Sequence, residues 1–161
     1  AFLQAAARVK SGGGRIGFSL SDTFCVERHK QVFLDLFARD IDILLANFAE
    51  AQALLDATDM DGVITAMQRA GVDGAITCGA EGAVIVHAGE AVWVDAVGVQ
   101  TVTDLTGAGD QFAAGYLCGV ARGRDMKTCG RMGALAAAEV IQHFGPRPEK
   151  DLRAVFTEHG F

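Results

Sequence analysis

The chain has no Walker-type lysine motif and no apolar run close to the roughly 20 residues that a membrane-spanning helix needs. It also has no cysteine or histidine spacing that suits a metal. Cys25, Cys78, Cys118 and Cys129 fall in apolar or helical surroundings, which reads as reduced structural thiols of a cytoplasmic protein. His29, His87, His143 and His159 pair with no other ligand type at a metal spacing, so none is assigned to a site. Positive charge is in deficit too. The 14 Lys and Arg stand against 20 Asp and Glu, for a net charge of −6. The cations are scattered rather than gathered into a stripe, which makes nucleic acid and anionic membrane poor partners.

The opening AFLQAAARVK lacks a basic leader followed by an apolar core, and the chain reads as soluble and intracellular. It starts with Ala inside a helical pattern, as a fragment or a processed product would. No internal repeat, low-complexity segment or linker interrupts it, so residues 1–161 read as a single domain.

What is present is largely apolar. Half of the 161 residues are hydrophobic, enough for a sizeable buried core and against disorder. Residues 2–10 are expected to form a helix stopped by SGGG, and Arg15 to Ser19 a short strand. Val32, Phe33, Leu36 and Phe37 recur at helical spacing within Glu27 to Ala38, and the run Ile41 to Ala46 reads as a buried strand. Helices are expected over Asn47 to Leu55 and Asp61 to Ala70, the latter stopped by Gly71. Gly74 to Cys78, Ala83 to His87 and Ala91 to Val94 read as strands joined by glycine turns. Helices over Ala108 to Ala121 and Met126 to Phe144 follow, the second stopped at Gly145-Pro146, and then a short final helix. This order argues an α/β sheet covered on both faces.

The stretch DLTGAGDQF, Asp104 to Phe112, stands where a strand-like segment gives way to a helix, the place where open α/β sheets bind ligands. Gly107 and Gly109 remove side chains. Consecutive N–H groups of Gly107, Ala108, Gly109 and Asp110 then converge on one anion, helped by the positive end of the helix dipole. Asp110 has two readings. An aspartate in a first helical turn is favoured by the dipole alone, by roughly 0.3–1 kcal/mol. Beside a bound phosphoryl group it would instead accept the proton of an attacking hydroxyl.

Asn47 and Glu50, at the end of the Ile41 to Ala46 run, also read two ways: as a capping box, or as polar groups holding the waters of a Mg²⁺ ion. Thr77 to Gly82, TCGAEG, is either a hairpin turn or a nucleotide contact through Thr77 and Gly79.

Together, Asn47-x-x-Glu50, Thr77-x-Gly79-x-x-Gly82 and Asp104-x-Thr106-Gly107-Ala108-Gly109-Asp110 resemble, in order and separation, the carboxyl-terminal half of the ribokinase-like (PfkB) carbohydrate and nucleoside kinases. The resemblance covers essentially the whole chain. Phe18 to Phe24, FSLSDTF, is in addition similar to a segment of the adenosine-kinase branch. The resemblance implies a three-layer α/β/α fold with a mostly parallel central sheet, and ATP-dependent phosphorylation of a hydroxymethyl group on a sugar or nucleoside.

It also implies a role for each residue. Asp110 would be the catalytic base, Gly107, Ala108 and Gly109 the anion hole, and Asn47 with Glu50 the organisers of Mg²⁺ and phosphate. Thr77, Gly79 and Gly82 would lie along the ATP, and the segment around Ala137 would flank the adenine. Asp104, Thr106 and the loop at Gly145 match the places that hold a monovalent cation such as K⁺ in many members.

Members run to roughly twice this length, since a covered sheet of that size needs more strands than are counted here. On that reading the chain is the nucleotide-binding part, lacking most of the substrate pocket and the lid, and not active by itself. Its open sheet edge would invite association with a second copy. Two other classes remain beside the kinase reading. One is a nucleotide-binding module that performs no transfer. The other is a dinucleotide-binding oxidoreductase, disfavoured because no G-x-G-x-x-G follows the first strand with an acidic residue about 20 positions on.

Overall fold

The computed structural model describes residues 2–161. The elements are α1 (Phe2–Ser11), β1 (Gly17–Ser19), α2 (Thr23–Arg39), β2 (Ile43–Asn47), α3 (Phe48–Leu55), α4 (Met60–Ala70), β3 (Asp73–Thr77), β4 (Gly82–His87), β5 (Glu90–Asp95), α5 (Ala108–Ala121), α6 (Met126–Val140) and α7 (Leu152–Glu158). The five strands form one sheet in the order β1-β2-β3-β4-β5. The class is mixed α/β, as the element order predicts. β1 and β2 pair in parallel, with Gly17 opposite Ile43 and Ser19 opposite Leu45.

The residues fall into two compact units. One runs through Ile76 and takes in Val86–Ala91; the other holds Thr77–Ile85 and Val92–Phe161.

In the first unit β2 is buried along Ile43, Leu44, Leu45 and Ala46, as its continuous apolar run requires of a central parallel strand. Helix α2 starts four residues earlier than the apolar periodicity predicts. The signal lies in Asp22, whose carboxylate accepts the N–H groups of Phe24 at 2.7 Å and Cys25 at 3.3 Å and so caps the helix. A kink at His29 (φ −121°, ψ 20°) separates these capped turns from the periodic stretch. The FSLSDTF segment is thus a strand end, a left-handed Ser21 (φ 65°) and a helix cap. Helix α4 ends as expected, on a left-handed Gly71.

In the second unit, α5 and α6 pack closely through glycines. A Cβ on Gly115 would stand 2.4 Å from the Met132 carbonyl oxygen, and one on Gly119 would stand 2.9 Å from Cys129 Sγ. Met132, Leu135, Ala136 and Phe156 form a buried cluster that joins α6 to α7. Because the Met132 carbonyl is fixed in its helix, Gly115→Ala is expected to destabilise the fold by about 1–3 kcal/mol, read as a lower urea midpoint.

Two expectations are corrected in this unit. The segment directly before DLTGAGDQF, expected to be strand-like, forms no strand over residues 96–103. The N–H of Thr103 donates to the Ile141 carbonyl at 2.8 Å, not to a neighbouring strand. Helix α6, expected to run to Phe144, ends at Val140. The Ile141 carbonyl is held by Thr103, and the Gln142 carbonyl accepts the Thr103 hydroxyl at 2.9 Å. The chain therefore turns out of the helix before Gly145-Pro146.

Candidate functional site

In the first unit the strand β2 delivers its last residue, Asn47, to the N-cap of α3. Asn47 Oδ1 accepts the Glu50 N–H at 2.9 Å, and Asn47 Nδ2 donates to Glu50 Oε1 at 2.8 Å. Glu50 Oε2 in turn accepts the Asn47 N–H at 3.0 Å. This is the capping box of the first reading, and it engages both carboxylate oxygens of a buried Glu50. Burial pushes the Glu50 carboxyl up from its usual range, against the lowering effect of the Asn47 N–H. Removing the cap by Asn47→Ala is expected to cost about 1 kcal/mol, measured by denaturant unfolding.

In the second unit the turn after β3 is a single 3₁₀ turn, Gly79–Glu81, closed by the Cys78 N–H donating to the Gly82 carbonyl at 2.7 Å. This is the geometry the hairpin reading expects. Gly82 has a structural reason to be glycine: at φ 127° a Cβ would stand 2.2 Å from the Val94 carbonyl oxygen. Gly79 is different. It is left-handed at φ 58°, with open space where a side chain would be. Thr77 ends β3 and is half-buried. Burial pushes the neighbouring Cys78 thiol up, and the charge of Glu81 adds to this.

The loop from Asp104 to Asp110 is held in shape by its own aspartate. Asp104 Oδ1 accepts the Thr106 N–H at 2.9 Å and Oδ2 accepts the Gly145 N–H at 3.0 Å. The Gly145 and Thr106 hydrogen bonds hold the Asp104 carboxyl below the usual carboxylate range. The chain then reverses at Gly107 (φ 81°), the N-cap of α5, where a Cβ would stand 2.6 Å from Pro146 Cβ. Only glycine meets both conditions.

The Ala108 N–H donates back to the Leu105 carbonyl at 3.1 Å. In the first turn of α5 the N–H groups of Gly109 and Asp110 have no carbonyl of their own helix to bond, and Asp110 is exposed. Gly109 is the informative position. Among the described residues a Cβ there would meet no atom within 4 Å beyond its chain neighbours and its own helix backbone, and no left-handed conformation requires glycine. Neither packing nor backbone accounts for it. Ala137, half-buried on α6, offers no polar side chain.

Sequence reasoning missed two members of this assembly. Gln111 Nε2 donates to the Pro146 carbonyl at 3.0 Å, tying the first turn of α5 to the segment after α6. Buried Glu139 accepts the N–H groups of Glu149 and Lys150 at 3.1 and 3.0 Å through Oε1, and its Oε2 lies 3.4 Å from His143 Nε2. A glutamate in an alanine-rich helix carries no sequence mark of such a role. Among the described residues no group of three or more His, Cys, Asp or Glu side chains could hold a metal ion. Magnesium would therefore fit here only as an ion that keeps much of its water and is shared with phosphate oxygens.

Residues 2–152 match the family described as pfkB family carbohydrate kinase. The structure of a probable sugar kinase from Rhizobium etli gives a TM-score of 0.94 at 38% identity, covering 98% of this chain and 48% of that one. The structure of adenosine kinase from Sinorhizobium meliloti gives 0.93 at 38% identity, with the same coverages. Adenosine kinase of Saccharomyces cerevisiae is 34% identical over 130 residues, 71% of this chain and 38% of that protein. The chain spans about half the length of the two solved relatives, and less of the yeast protein. No helix among the described residues is long and apolar enough to cross a membrane.

Proposed function

Since the chain belongs to the pfkB family of carbohydrate kinases, we propose that it is the carboxyl-terminal, nucleotide-binding part of an ATP-dependent phosphotransferase that acts on a hydroxymethyl group of a sugar or nucleoside. The observation that carries this reading is the start of α5: a loop pinned by Asp104, a glycine at position 109 that the fold does not itself require, and an exposed Asp110 one residue on.

In that reaction the acceptor oxygen forms a bond to the γ-phosphorus. The bond from that phosphorus to the bridging oxygen of ADP breaks, and the acceptor's proton passes to the Asp110 carboxylate. The Gly109 and Asp110 N–H groups, with the helix dipole, stabilise the charge on the transferring group. Gly107 and Ala108 shape the turn that presents them. Asn47 and Glu50, rigid in their capping box, would orient waters of a magnesium ion, which would supply positive charge to neutralise the phosphates. Thr77, Gly79 and Gly82 lie along the ATP, the open space over Gly79 leaving room for it, and Ala137 flanks the adenine. Asp104 and Thr106, with the loop at Gly145, would hold a monovalent cation such as K⁺.

The test is ADP release by the complete protein over a panel of sugars and nucleosides with Mg-ATP. Release that depends on one acceptor class supports the reading and names the class. ATP binding without acceptor-dependent release favours a nucleotide-binding module that performs no transfer.

A further inference from the structure

The loop from Asp104 to Asp110 contains two carboxylates and no lysine or arginine. A polyphosphate drawn to the start of α5 would therefore meet N–H groups and a dipole, but no cation from that loop. One cation is nevertheless built into the structure beside it. Arg147 lies between Pro146 and Pro148, and these are the only two prolines of the chain. Each fixes its own φ, and Pro148 also disfavours the helical conformation at Arg147.

The segment around it is clamped on both sides. Before Arg147, the Gly145 N–H is bound by Asp104 and the Pro146 carbonyl by Gln111. After it, the Glu149 and Lys150 N–H groups are bound by buried Glu139. The residue preceding Arg147 fills the space against Gly107, where a Cβ would stand 2.6 Å from Pro146 Cβ. Arg147 itself is exposed. Among the described residues its guanidinium makes no hydrogen bond or ion pair, whereas Arg153, six residues on, has Asp151 3.8 Å away. A backbone fixed at four points leaves only the side chain of Arg147 to be ordered when it binds an anion.

We propose that Arg147 is a further phosphate-binding residue of this site. Its planar fork donates to the transferring phosphoryl group of ATP, as guanidinium does to phosphate oxygens in general. This rests on the phosphotransferase reading above.

The test is made in the complete protein, with Arg147→Gln, Arg147→Lys and the control Arg153→Gln. Two readouts are compared: kcat/KM for the acceptor found in the panel, and the affinity for a non-hydrolysable ATP analogue. Arg147→Gln is expected to lower kcat/KM by on the order of 10²-fold and analogue affinity by about 10-fold, with an unchanged melting temperature. Arg147→Lys is expected to recover part of the analogue affinity, and Arg153→Gln to change neither readout. Wild-type turnover with Arg147→Gln unchanged in both readouts overturns the Arg147 role and leaves the phosphotransferase reading standing. Absence of turnover in the wild type sinks that reading instead, and the analogue titration still decides whether Arg147 binds phosphate.

Discussion

Gly109→Ala is expected to make the fold more stable and the proposed phosphotransfer far slower. The second position of α5 is helical, and a Cβ there meets nothing within 4 Å. Alanine removes the conformational entropy that glycine loses on folding, so stability is expected to rise by roughly 0.5–1 kcal/mol. The same methyl would stand in front of the N–H groups proposed to hold the transferring phosphoryl group. Loss of one such donor typically costs on the order of 10²–10³ in kcat, and the expected fall is of that size. Urea unfolding and steady-state kinetics on one preparation of the complete protein check both halves. A variant that is more stable and equally active would show that the space over Gly109 stays empty in catalysis. Gly115→Ala, which also sits in α5, has no such opposition of effects, because its Cβ would strike the protein's own backbone.

Asp110→Asn is expected to lower kcat by on the order of 10²–10⁴, the usual contribution of a positioned general base. It keeps the size of the side chain and its place in the first turn of α5. The split between parameters separates catalysis from structure. Removing a negative charge beside the phosphates relieves repulsion, so ATP affinity is expected to hold or to rise while kcat falls. If Asp110 served only to favour the helix start, Asn would lose no more than the roughly 0.3–1 kcal/mol of the dipole interaction and turnover would persist.

Much of this was legible in the residues because the signals are local. Continuous burial of β2 follows from ILLA between polar residues, and the end of α4 follows from Gly71. The capping box of Asn47 and Glu50 is a three-residue spacing that needs nothing beyond its own helix. The bounds of α5, Ala108–Ala121, likewise agree with the expectation. What the sequence did not show depends on partners far along the chain. Helix α6 stops short because Thr103, some 40 residues earlier, takes the Ile141 and Gln142 carbonyls. That pairing has no periodicity to reveal it. Asp104 and the loop at Gly145 are linked in the sequence only through the family resemblance; the Gly145 N–H on the second oxygen of Asp104 is a contact 41 residues apart that no local pattern reveals. Gly82 and Gly107, alike in sequence, differ in cause from Gly109: Val94 and Pro146 exclude a side chain at the first two, and nothing among the described residues does so at the third.

The most direct test of the central claim is mass-spectrometric detection of phosphorylated acceptor. The complete protein and its Asp110→Asn variant would be run side by side with Mg-ATP, after both are shown to bind ATP. The account predicts product from the first and almost none from the second at comparable ATP affinity. Equal product from both would contradict it and remove Asp110 from the chemistry.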